Sequence, residues 1–121
     1  MKLTKTEEEL MKHLWEKENA FMKDLLAAYP EPKPANTTIA TLLKRMSTKG
    51  FVGYKTIGKA REYFPLVKKQ EYFSKHVNHL IKNFFNDSAS QFASFFTKDT
   101  DLTKEQLESL KKIIDTQLKN K

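Results

Sequence analysis

The sequence predicts a mostly α-helical fold with one small β-hairpin, split into an N-terminal domain over residues 1–68 and a helical region over 69–121. Three observations predict it. Apolar residues recur at helical spacing in three stretches before residue 50. All three glycines, Gly50, Gly53 and Gly58, fall within nine residues, between runs rich in aromatic and β-branched side chains. After residue 68 the helical spacing returns and continues almost to the end of the chain.

The first helix is expected at about 5–17. Thr4 and Glu7 have the spacing of a capping box, in which each side chain satisfies a free amide of the other's turn, and Leu10, Met11, Leu14 and Trp15 then repeat on one face. That stripe makes Trp15 a core residue. Phe21, Leu25 and Leu26 continue the apolar face through a second, shorter helix. It must stop before Pro30, Pro32 and Pro34, because each proline removes a helix donor. Asn36 is the expected N-cap of a third helix, in which Ile39, Leu42, Leu43 and Met46 point inward and Gly50 supplies the stop. Thr37, Thr41, Lys44 and Thr48 point the opposite way, with Ala40 and Arg45 at the margins of that face. The outward face is therefore short, hydroxylated and basic, unlike the Glu/Lys mixture of an ordinary solvated helix.

A hairpin follows, turning near Gly58-Lys59 with Pro65 at an edge or a strand end. Lys55, Lys59 and Arg61 put three positive charges near its tip. Beyond residue 68, Phe73, Val77, Leu80, Ile81 and Phe84 form the stripe of a fourth helix, broken at Asn86-Asp87-Ser88. Phe92, Phe95 and Phe96 mark a fifth, and Thr103 with Gln106 opens a sixth, lined by Leu107, Leu110, Ile114 and Leu118.

Composition narrows the function. The 121 residues suffice for one domain, or for a small domain with an extension whose core a partner completes. The chain has no cysteine, which excludes disulfides, thiol catalysis and Cys-based metal sites. No apolar stretch approaches the roughly 18 residues a membrane span needs, so a cytoplasmic protein without membrane insertion is expected. Residues 33–69 carry nine Lys or Arg against one acid, Glu62, a net of +8, while the rest of the chain has 13 basic and 14 acidic residues. The whole excess of the +7 chain thus lies in one contiguous third, the footprint of a polyanion-binding surface.

Three helices followed by a hairpin is the layout of a winged helix-turn-helix, whose third helix enters the DNA major groove while the hairpin, or wing, lies on the flanking backbone. The expected reading residues are Thr37, Thr38, Ala40, Thr41, Lys44 and Arg45 on the helix, with Lys55, Lys59 and Arg61 on the wing. Threonine can bond base edges or phosphates at close range and set its methyl against a thymine methyl; Lys and Arg reach phosphate or guanine. The first-turn amides of the helix add a phosphate site.

The chain resembles the BlaI/MecI/CopY, or penicillinase repressor, family. The residues that carry the resemblance are Leu3-Thr4, Glu9-Leu10-Met11, Leu14-Trp15, the run Thr37 to Met46, Lys49-Gly50-Phe51 and the run Gly58 to Pro65. It implies a homodimer that represses transcription from a palindromic operator in double-stranded DNA, dimerised through its C-terminal helices. It also implies release by a membrane-bound sensor protease system that leads to cleavage of the repressor. This chain departs from the family pattern at Asn36, often aromatic, and Lys59, often arginine. The Cys-rich motif of the copper-responsive members is absent. At the family's cleaved Asn-Phe bond this chain has Phe95-Phe96.

The C-terminal half points to a dimer independently. About 50 residues in three helices cannot enclose a good core, yet five of the nine phenylalanines (Phe84, Phe85, Phe92, Phe95, Phe96) fall within 13 residues. With Phe73, Val77, Leu80, Ile81, Leu107, Leu110, Ile114 and Leu118 they form the expected interface, covered by a second copy. The alternative from another class is a winged-helix adaptor that binds an acidic protein partner. An enzyme is not expected, since the sequence lacks a Gly-rich phosphate loop, a nucleophile motif and a clustered acid pair. His76 and His79 have no nearby third ligand, so neither metal nor cofactor is expected.

Overall fold

A computed structural model describes residues 2–121. Its elements are α1 (Lys5–Lys17), β1 (Ala20–Phe21), α2 (Met22–Ala28), α3 (Asn36–Thr48), β2 (Val52–Ile57), β3 (Ala60–Pro65), α4 (Lys69–Phe84), α5 (Ala89–Asp99) and α6 (Lys104–Lys119). The chain forms two compact units, Met1–His76 and Val77–Lys121.

In the first unit the stripes predicted on α1, α2 and α3 converge. Leu10, Met11, Leu14, Leu25, Ile39, Leu43, Met46 and Val52 are all less than 3% exposed. Burying side chains of this size contributes about 1.5–3 kcal/mol each, which outweighs the modest helix propensity of Thr and Ile in α3. The capping box opens α1 as expected. The Thr4 N–H donates to Glu7 Oε1 at 2.8 Å, and the Glu7 N–H donates to Thr4 Oγ1 at 3.2 Å. Trp15 packs against this core, as its stripe predicts, but is only half-buried. A wide indole carries an N–H that needs an acceptor, and Trp15 sits at the edge, donating to the Val67 carbonyl at 2.9 Å. Tyr72, on the first turns of α4, is buried in this unit; its hydroxyl accepts from the Leu3 N–H and donates to Glu8 Oε2, both at 3.0 Å.

Two local expectations are corrected. Phe21 belongs to a strand, not to the second helix: Ala20 and Phe21 pair antiparallel with Tyr63 and Glu62, so the hairpin becomes a three-stranded sheet of order β1-β3-β2. Two residues are too few to show a period of two, and the pairing is set by the partner strand. Asn36 is not the cap of α3. Ala35 takes that position with extended backbone, its carbonyl accepting from Thr38 and Ile39 at 3.0 and 3.2 Å, and no side chain caps the turn.

The other end of α3 closes as predicted. Gly50 adopts φ +84°, the Phe51 N–H donates to the Met46 carbonyl at 2.9 Å and the Gly50 N–H to the Ser47 carbonyl at 3.1 Å. This is a Schellman end. It turns the chain sharply from α3 into β2 and buries Phe51. The hairpin pairs Val52↔Pro65 through Ile57↔Ala60, leaving Gly58 and Lys59 as a two-residue turn. Only Gly58 of the two has positive φ, as a type II′ turn requires.

In the second unit, Asn86 and Asp87 take positive φ and end α4, Ser88 caps α5 by accepting from the Gln91 N–H at 3.1 Å, and the Thr103–Gln106 capping box opens α6. Phe85 packs edge-on against Phe92 at 5.5 Å, and Phe92 stacks parallel to Phe96 at 6.1 Å. No residue from 77 to 121 is buried. No helix among the described residues is long and apolar enough to cross a membrane.

Candidate nucleic-acid interface

The apolar stripe of α3 faces inward, so its remaining side chains form an open surface. Thr37, Thr38, Ala40, Thr41, Lys44 and Arg45 are all exposed. They differ in what they already touch. The Thr41 hydroxyl donates to the Thr37 carbonyl at 2.9 Å, one turn back, and Thr48 does the same to Lys44 at 3.1 Å. Tied this way, Thr41 keeps its methyl and an oxygen lone pair free toward solvent. The uncapped start of α3 leaves first-turn amides without side-chain acceptors, at the positive end of the helix dipole.

The cations of residues 33–69 separate into two groups. Lys33 folds back to the end of α2, its ammonium donating to the carbonyls of Leu26, Ala27 and Tyr29 at 3.3, 3.2 and 2.6 Å. Lys49 donates to both carboxylate oxygens of Glu7, at 2.9 and 2.7 Å. These two lysines serve the fold rather than the surface. Arg45 lies between the groups: its Nη1 is 3.8 Å from Glu7 Oε2, while its side chain is 48% exposed. Among the described residues no carboxylate lies within ion-pair distance of Lys44 or Lys59.

Glu7 is the residue that sequence reasoning missed. Burial pushes its carboxyl up, but the hydrogen bond and charge of Lys49 and the hydrogen bonds from Thr4 outweigh burial and hold it below the usual carboxylate range. Its capping-box spacing already accounts for it locally, so nothing in the sequence signalled a second, tertiary role.

On the wing, Lys55 is 3.5 Å from Glu62, its cross-strand partner, and the Arg61 guanidinium lies 4.3 Å over the Tyr54 ring. Tyr54 sits opposite Tyr63, with ring centroids 5.7 Å apart. The stack fixes one rotamer-rich cation in place before any partner arrives, and Lys59 stands at the turn itself. The aromatic platform under Arg61 was legible only as a β-rich run. His76 packs on Tyr72 at 4.7 Å, and His79 faces Asn83.

Of the side chains expected to pair between copies, Val77, Leu80, Phe84, Phe95, Phe96, Leu107, Ile114 and Leu118 are exposed, and Ile81, Phe85, Phe92 and Leu110 are half-buried. Phe73 lies in the first unit, 5.9 Å from Trp15 and 42% exposed. Ile113, next to Ile114 and 57% exposed, extends the stripe of α6.

Comparison with known proteins gives one answer throughout. The family model described as penicillinase repressor matches residues 3–116. The methicillin resistance regulatory protein MecI of Staphylococcus aureus (strain N315) is 25% identical over 114 residues, covering 93% of each chain. The proteins of the same name from Staphylococcus epidermidis and Mammaliicoccus sciuri are 25% and 24% identical over the same shares.

Proposed function

The chain belongs to the penicillinase repressor family and is a transcriptional repressor that binds DNA, and from that premise we propose that it acts as a homodimer on a palindromic operator. The observation that carries this reading is the outer face of α3. It presents Thr37, Thr38, Ala40, Thr41, Lys44 and Arg45 free of the core, beside a wing whose Lys59 and Arg61 flank it in sequence and charge. Helix residues specify the bases, and Lys55, Lys59 and Arg61 hold phosphates.

The second unit supports the dimer. A group of helices with no buried residue gains stability by covering its apolar side chains with a second copy. Two-fold symmetry then sets two copies of α3 about 34 Å apart, one helical turn of DNA. Repression is steric, since a dimer spanning both half-sites excludes polymerase. It takes place in the cytoplasm, where the operator is.

Relief through a membrane-bound sensor and cleavage of the repressor is the family's route, and it extends to this chain as part of the proposal. The bond aligned with the family's cleavage site joins Phe95 and Phe96, within α5 and exposed at both side chains. Helical backbone must open locally before a protease can seat it. Sequencing the duplexes that the purified protein selects from a random pool tests the central reading. An inverted repeat with half-sites one turn apart is expected; a single unrepeated site, or no enrichment, contradicts it.

A further inference from the structure

Glu7 meets two cations at the C-terminal end of α3, Arg45 on the helix and Lys49 at its cap. Glu7 is fully buried, its Oε1 held by the Thr4 N–H, and Lys49, with about a quarter of its side chain exposed, donates to both oxygens. Arg45 approaches Oε2 only at 3.8 Å, with nearly half its side chain in solvent. A guanidinium has five N–H donors in a rigid fork, so one edge can face Glu7 while another stays free for an outside acceptor. The arrangement is asymmetric: Lys49 is consumed by the fold, and Arg45 is restrained without being neutralised.

We propose that Glu7 is a positioning residue of the DNA-reading surface, an internal counter-ion that holds Arg45 toward the α1 side of α3 and competes with DNA phosphate for it. This rests on the reading of α3 as the DNA-contacting helix. Two effects follow. An anchored Arg45 meets only those duplexes whose acceptor lies within reach of the restrained fork, which favours the operator. The competing carboxylate lowers the number of cations available to an arbitrary phosphate backbone, which weakens non-specific binding. Both raise the ratio of operator affinity to background affinity.

Glu7→Gln isolates the charge, because glutamine keeps the capping box and still accepts from Thr4. Binding to the selected operator duplex and to a shuffled duplex is measured by fluorescence anisotropy across a salt series, for the wild type, E7Q, R45A and E7Q/R45A. In E7Q, affinity for the shuffled duplex should rise several-fold, the slope of log affinity against log salt should steepen by about 1, and the operator preference should fall about tenfold. In the R45A background Glu7→Gln should change none of these, which separates action through Arg45 from a general loosening of the fold. An unchanged slope and preference in E7Q overturns the inference, as does a change that persists without Arg45. A wild type that does not discriminate the two duplexes instead overturns the reading of α3 on which the inference rests.

Discussion

At the scale of single residues, the pair Glu7–Lys49 shows how a buried charge is compensated by hydrogen bonds and a counter-ion. The Glu7 carboxylate is 0% exposed, yet Lys49 and Thr4 give it three hydrogen bonds of 2.7–2.9 Å. Lys49→Met leaves that carboxylate with the Thr4 N–H and, for a counter-charge, the more distant Arg45 at 3.8 Å. Removing one partner of a fully buried pair costs about 3–5 kcal/mol; here Lys49 is 26% exposed, so about 2 kcal/mol is expected, read as a lower urea midpoint. The same site sets a pH dependence. Because the folded-state pKa of Glu7 is depressed, its contribution is complete above the ordinary carboxylate range and is lost as pH falls through that range to the lower folded value. Urea unfolding at stepped acid pH should show this loss in the wild type and a smaller one in Glu7→Gln. Equal acid sensitivity of the two proteins contradicts the assignment. None of this was legible in the sequence, where Glu7 and Lys49 stand 42 positions apart.

At the scale of elements, local rules carried most of the prediction. The helix stripes and capping boxes depend on neighbours within a turn, so α1, α3 and α6 fall where their spacing puts them. The misses came where a partner decides the matter. β1 exists because β3 offers Tyr63 and Glu62 to it, and Ala35, in extended backbone, takes the cap of α3 one residue ahead of Asn36 without any side-chain acceptor. Gly50 at φ +84° has open space where a side chain would stand, so Gly50→Ala tests the backbone alone. It should cost about 1 kcal/mol, measured as a urea midpoint shift at unchanged slope. On the DNA side, Lys59→Ala and Arg61→Ala should each weaken all duplexes alike and reduce the salt slope by about 1, whereas Thr41→Ala should change which sequence is preferred. If Thr41→Ala left preference untouched, α3 would not be the reading element.

At the scale of the whole molecule, the two units differ in how much apolar surface each can bury. The unit through His76 encloses a core and has side chains to spare for a surface; the unit from Val77 buries nothing of its own. The concentration of charge in residues 33–69 points to the proposed binding surface, but it counted Lys33, which closes the end of α2, and Lys49, which pairs with Glu7. Sedimentation should give a dimer at micromolar concentration. Replacing Ile114 and Leu118, 58% and 69% exposed, by Asp should give a folded monomer with weakened operator binding. The most direct test of the account compares the anisotropy titration of the selected palindromic duplex with that of its shuffled counterpart, across a range of salt. A DNA-reading repressor binds the palindrome at least about a thousandfold more tightly, with affinity falling steeply as salt rises. Equal affinity for both duplexes would contradict the account and leave only a generic polyanion surface, the property an adaptor for an acidic partner would share.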